Sequence, residues 1–185
     1  MHLLALPDDA LPATLRRQIL AAHRREWPNA YVSDHDGRTW IQRPQFHPTH
    51  VVLIDDGRLI AYTGVVWKDL RHAGETYRTY GLSGVVTTPA FRRQGHGRRV
   101  VEAATRLIRA SDADIGLFTC APGLTTFYAA SGWEWMAGAA LFGGPAAAPE
   151  REWAEQVMMG FFSAKGRAAR SGFTAQPILF DDDLW

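Results

Sequence analysis

The sequence has very little cysteine and no long apolar run, and both absences narrow the classes of protein it can belong to. Its single cysteine, Cys120, cannot form an internal disulfide and fits a reducing compartment. No apolar stretch approaches the roughly 20 residues that span a bilayer. A secretory signal pattern is not expected either, because Asp8 and Asp9 interrupt the N-terminal segment. We therefore expect a cytoplasmic protein with no membrane partner.

An excess of charge of one sign is also missing, whereas apolar residues are plentiful. The net charge at pH 7 is +1, and 46% of the 185 residues are hydrophobic. A nearly neutral chain gives no reason to expect a nucleic-acid partner. A chain of this length can bury one sizeable core but hardly two. We expect a single domain, residues 1–185, and predict no metal site.

The order of predicted helices and strands indicates a mixed α/β domain. Helical spacing of apolar residues predicts helices over residues 10–26, 97–110 and 124–131. Apolar or alternating runs predict strands over residues 51–54, 59–67, 76–87, 115–120, 133–142 and 157–163. Asp55-Asp56-Gly57 predicts a tight hairpin. A strand, a helix and a strand in succession imply that 76–87 and 115–120 pair in parallel.

Three segments lack a clear periodic pattern. Residues 29–49 are interpreted as a loop with a short helix around Trp40. Residues 143–156 include an insert rich in glycine, proline and alanine, and residues 164–185 form a polar tail. That tail ends in Asp181-Asp182-Asp183-Leu184-Trp185.

The segment Arg92-Arg93-Gln94-Gly95-His96-Gly97-Arg98 joins a predicted strand to a predicted helix. The first turn of a helix has unpaired N–H groups and a partial positive charge, so it binds anions. The two glycines let backbone approach a phosphate closely, and the arginines add positive charge. A glycine-rich turn with surface arginines is the simpler interpretation. The full Arg-x-x-Gly-x-Gly string in this context favours phosphate binding, although it is not a Walker loop.

This string resembles the acyl-CoA signature of the GNAT (Gcn5-related) N-acetyltransferases, and the resemblance covers roughly residues 50–140. It implies an α/β (α+β) domain whose mixed, mostly antiparallel sheet has a splayed central parallel strand pair and flanking helices. It also implies acetyl-CoA (coenzyme A) as the acetyl donor, with pyrophosphate on the loop amides and pantetheine along the first parallel strand. The implied cofactor-binding residues are Val85, Val86, Thr87, Arg92, Arg93, Gln94, Gly95, His96, Gly97 and Arg98.

The resemblance also implies catalytic roles. Tyr128 lies in the pattern Phe-Tyr-x-x-x-Gly-aromatic, where family members carry a tyrosine that protonates the departing thiolate, although core packing is an alternative role. The N–H of Val86 would bind the oxyanion. Many relatives have a glutamate base where this chain has Ser83, which could hold a water.

The identity of the base stays open. An alkyl amine has a pKa near 10.4, so a proton must leave before or during attack. The candidates for the base are ordered water, Asp34, His35, Asp36 and, less well placed, His96. An acyl-Cys120 intermediate is conceivable, but a small buried thiol is the favoured interpretation.

The ending Asp183-Leu184-Trp185 is similar to that of aminoglycoside 2'-N-acetyltransferases. The resemblance implies that the tail lines the acceptor site, with Asp182, Asp183 and Trp185 as substrate-binding residues. Asp34, His35 and Asp36 in the early loop are further candidates for substrate binding. An acidic rim would concentrate a polycationic substrate, whereas a frayed acidic tail is the alternative.

The sequence therefore predicts acetyl transfer from acetyl-CoA to the amine of a small, cationic, aminoglycoside-like molecule by direct attack in a ternary complex. Acetylation of a protein or peptide amine is one alternative function. A non-catalytic acyl-CoA-binding regulatory module is another. A homodimer is left open.

Overall fold

The computed structural model describes residues 1–31, 40–143, 151–152, 155–180 and 185. Its α-helices in these ranges are α1 Ala13–Glu26, α2 His96–Arg109, α3 Thr125–Ala129, α4 Ala164–Ala169 and α5 Gly172–Ala175. Its strands are β1 His2–Pro7, β2 Thr49–Asp55, β3 Arg58–His72, β4 Glu75–Thr87, β5 Ile115–Cys120, β6 Glu134–Trp135, β7 Leu141–Gly143, β8 Arg151–Glu152, β9 Gln156–Phe161 and β10 Ile178–Phe180. Short 3-10 helices lie at Asp8–Ala10, Pro28–Tyr31, Pro44–Phe46, Pro89–Phe91 and Pro122–Leu124.

The main sheet has seven strands in the order β1-β2-β3-β4-β5-β9-β6. Its pairs are mostly antiparallel, but β4 and β5 run parallel, with Thr79 opposite Ile115 and Tyr80 opposite Gly116. The strand–helix–strand order β4-α2-β5 explains this parallel pair, because a long crossover returns the chain in the same direction. A smaller sheet has the order β10-β7-β8. The predicted fold class is confirmed.

Two tight turns connect the first strands of the main sheet. Asp56 and Gly57, between β2 and β3, have φ of 47° and 71°. Ala73 and Gly74, between β3 and β4, have φ of 50° and 82°. Positive φ at both central residues matches the twist of antiparallel strands, which is why such turns favour Asp-Gly and similar pairs. The hairpin predicted at Asp55-Asp56-Gly57 is therefore confirmed.

The chain divides into two compact units, each with its own core. Residues 1–66 and 82–104 form the first unit, and residues 67–81 and 105–185 form the second. In the first, the apolar face of α1 packs on β2 and β3; its members include Leu15, Ile19, Val52 and Tyr62. In the second, β5 and β9 pack with the C-terminal elements; its members include Leu117, Met159, Phe173 and Phe180.

Four details differ from the expectations. Strand β1 was not predicted, because it is an exposed edge strand with no alternating pattern. The single strand predicted over 133–142 is wrong, since the chain turns at Gly138, whose φ is 84°. The tail is not merely polar: it contains α4, α5 and β10. Trp40 is not helical, and the short helix lies at Pro44–Phe46 instead, while residues 32–39 are outside the described residues.

Within the described ranges, no helix is long and apolar enough to cross a membrane.

Candidate active site

The predicted phosphate loop lies between the end of β4 and the start of α2. Arg93 and Gly95 both have left-handed backbone, with φ of 60° and 79°. A Cβ on Gly95 would have no atom within 4 Å, so the space beside its backbone is open. Helix α2 begins at His96, so the backbone N–H groups of its first turn have no carbonyl acceptor within the helix. This geometry suits a bound anion.

Two side chains of the loop brace its conformation. The Arg92 guanidinium donates to Thr87 O at 3.1 Å and to a Glu26 carboxylate oxygen at 2.5 Å. Gln94 Nε2 donates to Ala90 O at 3.2 Å. Arg93 and Arg98 are exposed as well. Arg92 and Gln94 hold the loop in place through their hydrogen bonds, and Arg93 and Arg98 add positive charge at its surface.

His96 is the loop residue with the most telling surroundings. Its side chain is 8% exposed, and neither ring nitrogen has a hydrogen-bond partner among the described residues. The ring meets Phe91 edge to face, with centroids 6.3 Å apart. A buried imidazole without partners is unfavourable, so the site fits a ligand with hydrogen-bonding groups at this point. The phosphates of CoA would supply such groups.

Strand β4 is irregular where the resemblance places pantetheine. Gly84 has a left-handed φ of 61°, which marks a bulge. Its carbonyl accepts a hydrogen bond from His23 Nε2 at 3.0 Å. A Cβ at position 84 would lie 2.5 Å from His23 Cε1 and 3.3 Å from Gln42 Nε2, so only glycine fits here. His23 on α1 and Gln42 thus cover the bulge.

The predicted catalytic and pantetheine-binding residues of β4 lie beside this bulge. Ser83 and Val86 are buried, at 5% and 4% exposed, whereas Val85 and Thr87 are partly exposed. The backbone after them is fixed on β3, because Thr88 N and Oγ1 donate to Ile60 O and Leu59 O at 2.9 and 2.8 Å. The structure does not test the roles of these residues, which stay predictions.

A buried polar chain that sequence reasoning missed lies in the same unit. His50 Nε2 is 2.9 Å from Asp8 Oδ1, and His50 Nδ1 is 3.0 Å from the Tyr62 hydroxyl. His50 and Tyr62 are both 0% exposed. The three residues come from separate parts of the sequence, so no local motif marks them. A buried histidine on the apolar face of α1, His23, whose ring meets that of Tyr62 edge to face, is a sequence feature that points to polar groups here.

Tyr128 and Cys120 belong to the second unit. Tyr128 is 5% exposed, and its ring packs edge to face against Phe118, with centroids 4.8 Å apart. Burial raises the pKa of Tyr128 well above its ordinary value, and the nearby Cys120 and Glu155 add to this rise. Burial also raises the pKa of the Cys120 thiol to about 11. Both groups are protonated at neutral pH, which suits Tyr128 as a proton donor and disfavours Cys120 as a nucleophile.

Trp185 is anchored on the parallel strand pair. Its indole Nε1 donates to Leu117 O on β5 at 3.1 Å, and its ring packs edge to face on Phe180, with centroids 4.8 Å apart. A Cβ on Gly81 of β4 would lie 1.7 Å from Trp185 Nε1. The absence of a side chain at Gly81 therefore makes room for the indole. Trp185 contacts Leu117 of β5, and Tyr128 contacts Phe118, the next residue of that strand.

Five predicted substrate-binding residues lie outside the described residues. They are Asp34, His35, Asp36, Asp182 and Asp183. Within the described part of the chain, no group of three or more His, Cys, Asp or Glu side chains could hold a metal ion.

Comparison with known proteins agrees with the geometry of the loop and the fold. The sequence profile of the acetyltransferase (GNAT) family matches residues 16–131. A search of curated proteins found no significant match. The chain belongs to the GNAT acetyltransferase family. It is therefore an acetyltransferase, with acetyl-CoA as the acetyl donor.

Solved structures share the fold at low sequence identity. YhbS, a GNAT family N-acetyltransferase from Escherichia coli in complex with CoA, superposes with a TM-score of 0.60 at 17% identity, covering 97% of this chain and 90% of that one. An aminoglycoside 6'-N-acetyltransferase complexed with coenzyme A gives 0.58 at 13% identity, covering 88% and 98%. A conserved protein from Enterococcus faecalis V583 gives 0.58 at 12% identity, covering 73% of this chain but only 33% of that larger protein.

Proposed function

We propose that this acetyltransferase transfers the acetyl group of acetyl-CoA to a primary amine of a small cationic molecule of the aminoglycoside type. The donor half rests on the phosphate loop. Its unpartnered His96 nitrogens, its left-handed Arg93 and Gly95 and the free N–H groups of α2 all suit the pyrophosphate. Arg93, Gln94, Gly95, His96, Gly97 and Arg98 would hold it, with Arg92 bracing the loop.

The acceptor half rests on Trp185. Its hydrogen bond to Leu117 and its close approach to Gly81 place the end of the chain on the parallel strand pair. Three consecutive aspartates precede it almost directly in the sequence. Negative charges this close in sequence to the anchored tryptophan would attract a polycationic acceptor. The shared fold with an aminoglycoside acetyltransferase agrees with this choice of acceptor.

Direct attack of the amine on the thioester fits the protonation states of Tyr128 and Cys120. Acetyl-CoA supplies an activated acetyl carbon, and CoA leaves as a thiolate. Tyr128, whose pKa burial raises, keeps its proton at neutral pH and can donate it to that thiolate. Cys120 keeps its proton as well, so an acyl-cysteine intermediate is not part of the proposal. The Val86 N–H at the bulge would stabilise the oxyanion.

A thiol-release assay tests the acceptor directly. Acetyl-CoA is offered with aminoglycosides, polyamines, amino-acid amines and a lysine-containing peptide. Transfer to a cationic small molecule supports the proposal. Transfer to the peptide alone identifies a protein acetyltransferase, and acetyl-CoA binding without any transfer identifies a non-catalytic module; either result contradicts it.

Charge-neutral variants of the tail sharpen the test. Asparagine at 181, 182 and 183 should raise KM for the cationic acceptor about tenfold at low salt with little change in kcat, because steering depends on charge. A control with Asp9→Asn, Asp56→Asn and Glu102→Gln changes the net charge equally but away from the tail. Equal KM values in the two triple variants would contradict a tail-lined acceptor site.

A further inference from the structure

One exposed carboxylate of the second unit, that of Glu155, lies at the end of β5. Glu155 immediately precedes β9, whose first residue, Gln156, pairs with Cys120 at the end of β5. Its Oε2 accepts a hydrogen bond from Thr119 Oγ1 at 2.7 Å. The side chain is exposed, and a carboxylate can accept more hydrogen bonds than this one. An amine from solvent can therefore reach it.

The two faces of β5 carry different parts of the candidate site. Successive side chains of a strand point to opposite faces of its sheet. On one face, Phe118 packs edge to face against Tyr128, with ring centroids 4.8 Å apart. On the other face, Leu117 belongs to the core against which Trp185 packs. Thr119, two residues after Leu117, points to this second face as well.

Thr119 therefore holds the carboxylate of Glu155 on the face of β5 opposite to that of Tyr128. The two groups still interact at the end of the strand. Burial raises the pKa of Tyr128, and the charges of Cys120 and Glu155 add to this rise. Burial also raises the pKa of the Cys120 thiol to about 11, and the charge of Glu155 contributes again. A negative charge thus lies close to both groups.

Acetyl transfer to an amine needs a proton acceptor as well as a proton donor. The amine nitrogen becomes cationic as it bonds to the acetyl carbon, and it must lose a proton to give the amide, whereas the departing sulfur must gain one. Nitrogen and sulfur are different substituents of the tetrahedral carbon, so the two groups that serve them lie on different sides of it. Glu155 and Tyr128, on opposite faces of β5, have this arrangement.

We propose that Glu155 receives the acceptor amine and takes the proton that its nitrogen loses on acetylation. This role rests on the proposed acetylation of an amine. Thr119 is a positioning residue, because it holds the carboxylate and does not touch the substrate. The negative charge of Glu155 also attracts a cationic acceptor before the reaction.

The proton transfers balance. A cationic amine first releases one proton to solvent and attacks as the neutral amine. As the N–C bond forms, the nitrogen gives an N–H proton to the Glu155 carboxylate. The C–S bond breaks, and the thiolate takes the hydroxyl proton of Tyr128. As the products leave, the carboxyl group of Glu155 releases its proton to water and the Tyr128 phenolate takes one from water, because a carboxylic acid is far more acidic than a phenol. Amide and free thiol are the products, and both residues regain their starting protonation.

The test compares Glu155→Gln with Glu134→Gln. Glu134 is a matched control, because it is an exposed glutamate of the same unit whose Oε2 accepts one hydrogen bond, from Arg170 Nε at 2.8 Å. For the wild type and both variants, kcat, KM, acetyl-CoA affinity and the melting temperature are measured with the amine that the wild type acetylates. Glu155→Gln should lower kcat about 100-fold, the scale of one proton-transfer group, with acetyl-CoA affinity unchanged. Glu134→Gln should keep its kcat.

Chemical rescue separates proton transfer from a structural role. Glu155→Ala leaves a space beside Thr119, where added formate can supply the missing carboxylate. Formate should raise the kcat of Glu155→Ala as its concentration increases and should leave Glu134→Ala unchanged. Thr119→Val removes the hydroxyl that holds the carboxylate and should lower kcat about tenfold, whereas Thr119→Ser, which keeps the hydroxyl, should retain its kcat.

Alkylation of Cys120 tests the position of Glu155 without any turnover. Cys120 is the single cysteine, so the alkylation rate reports one thiol. Because the charge of Glu155 raises the pKa of this thiol, Glu155→Gln should lower that pKa and move the pH profile of alkylation to lower pH. Glu134→Gln should leave the profile unchanged. Equal profiles for Glu155→Gln and the wild type would place the carboxylate away from the end of β5 and refute its role.

The outcomes distinguish the role of Glu155 from the function on which it rests. If the wild type acetylates an amine and Glu155→Gln retains its kcat, the role is refuted and the function stands. A lower kcat that formate does not restore shows a structural role and also refutes it. If the wild type binds acetyl-CoA and acetylates no amine, the proposed function fails and the role of Glu155 fails with it.

Discussion

Replacing Gly81 by alanine should detach the C-terminal tryptophan from the parallel strands. The new Cβ would lie 1.7 Å from Trp185 Nε1 and 2.3 Å from Trp185 Cε2, distances that no packed pair of atoms tolerates. It would also lie 2.8 Å from Leu117 O, the acceptor of the indole hydrogen bond. Because that carbonyl is held in β5, the indole is the group that must move.

The cost follows from the contacts that would be lost. The hydrogen bond from Trp185 to Leu117 contributes about 1 kcal/mol. A packed tryptophan covers about 150–250 Å², and losing roughly half of that at about 25 cal/mol per Å² costs about 2–3 kcal/mol. Gly81→Ala should therefore lower the free energy of unfolding by about 3–4 kcal/mol.

A double-mutant cycle in chemical denaturation isolates this contact. Trp185→Ala removes the indole and leaves the backbone in place, so it is the right partner for Gly81→Ala. The clash of the new Cβ with Leu117 O occurs with and without the indole, so it cancels in the cycle. The coupling free energy between positions 81 and 185 should therefore be about 2 kcal/mol or more. If Gly81→Ala costs the same with and without the indole, the assigned position of Trp185 is wrong.

Three further predictions concern protonation. Tyr128→Phe should lower kcat about 100-fold. In the wild type, kcat should not fall between pH 7 and 10, because the proton of Tyr128 is lost only above its ordinary pKa; a fall in that range would contradict its role. Cys120→Ala should keep its kcat, and the wild type should form no acetyl-enzyme detectable by mass spectrometry. A covalent adduct in the wild type would contradict direct attack. The pKa of His50 lies below 6.5 in the fold, so its contribution to stability is complete above pH 6.5 and declines below it. Asp8, with a folded pKa below 3.8, adds a loss at still lower pH. Melting temperatures should therefore fall less between pH 7 and 5 in His50→Gln than in the wild type, and equal slopes would contradict this assignment.

Most of the fold could be predicted because its signals are local. The apolar face of α1, the Asp-Gly turn and the fully apolar β5 each mark their own structure within a few residues. The wrong or missing predictions concern segments whose local structure is determined by a tertiary contact. Strand β1 is defined by its pairing with β2, since its own residues are mostly exposed. The break after β6 depends on one left-handed glycine, Gly138.

The candidate site likewise combines local features that the sequence predicts with tertiary contacts that it does not. The phosphate loop is a continuous string, so its position was predictable, but the unpartnered state of His96 appeared only in three dimensions. The chain of Asp8, His50 and Tyr62 joins residues 42 and 12 positions apart, so no spacing rule detects it. Trp185 could be singled out as the end of an acidic tail, whereas its contact with Leu117, 68 positions away, could not.

Acetyl-CoA binding at the loop that begins α2 is the property on which the proposed function depends most directly. Gly97→Glu places a bulky negative side chain in the first turn of this helix, where it would block and repel the pyrophosphate. Ala110→Glu adds the same charge at the exposed far end of the helix and serves as the control.

Isothermal titration of acetyl-CoA into the wild type and both variants is the decisive measurement. We predict binding by the wild type and by Ala110→Glu, and no detectable binding by a folded Gly97→Glu protein. Wild-type affinity in Gly97→Glu would show that the cofactor does not sit on this loop.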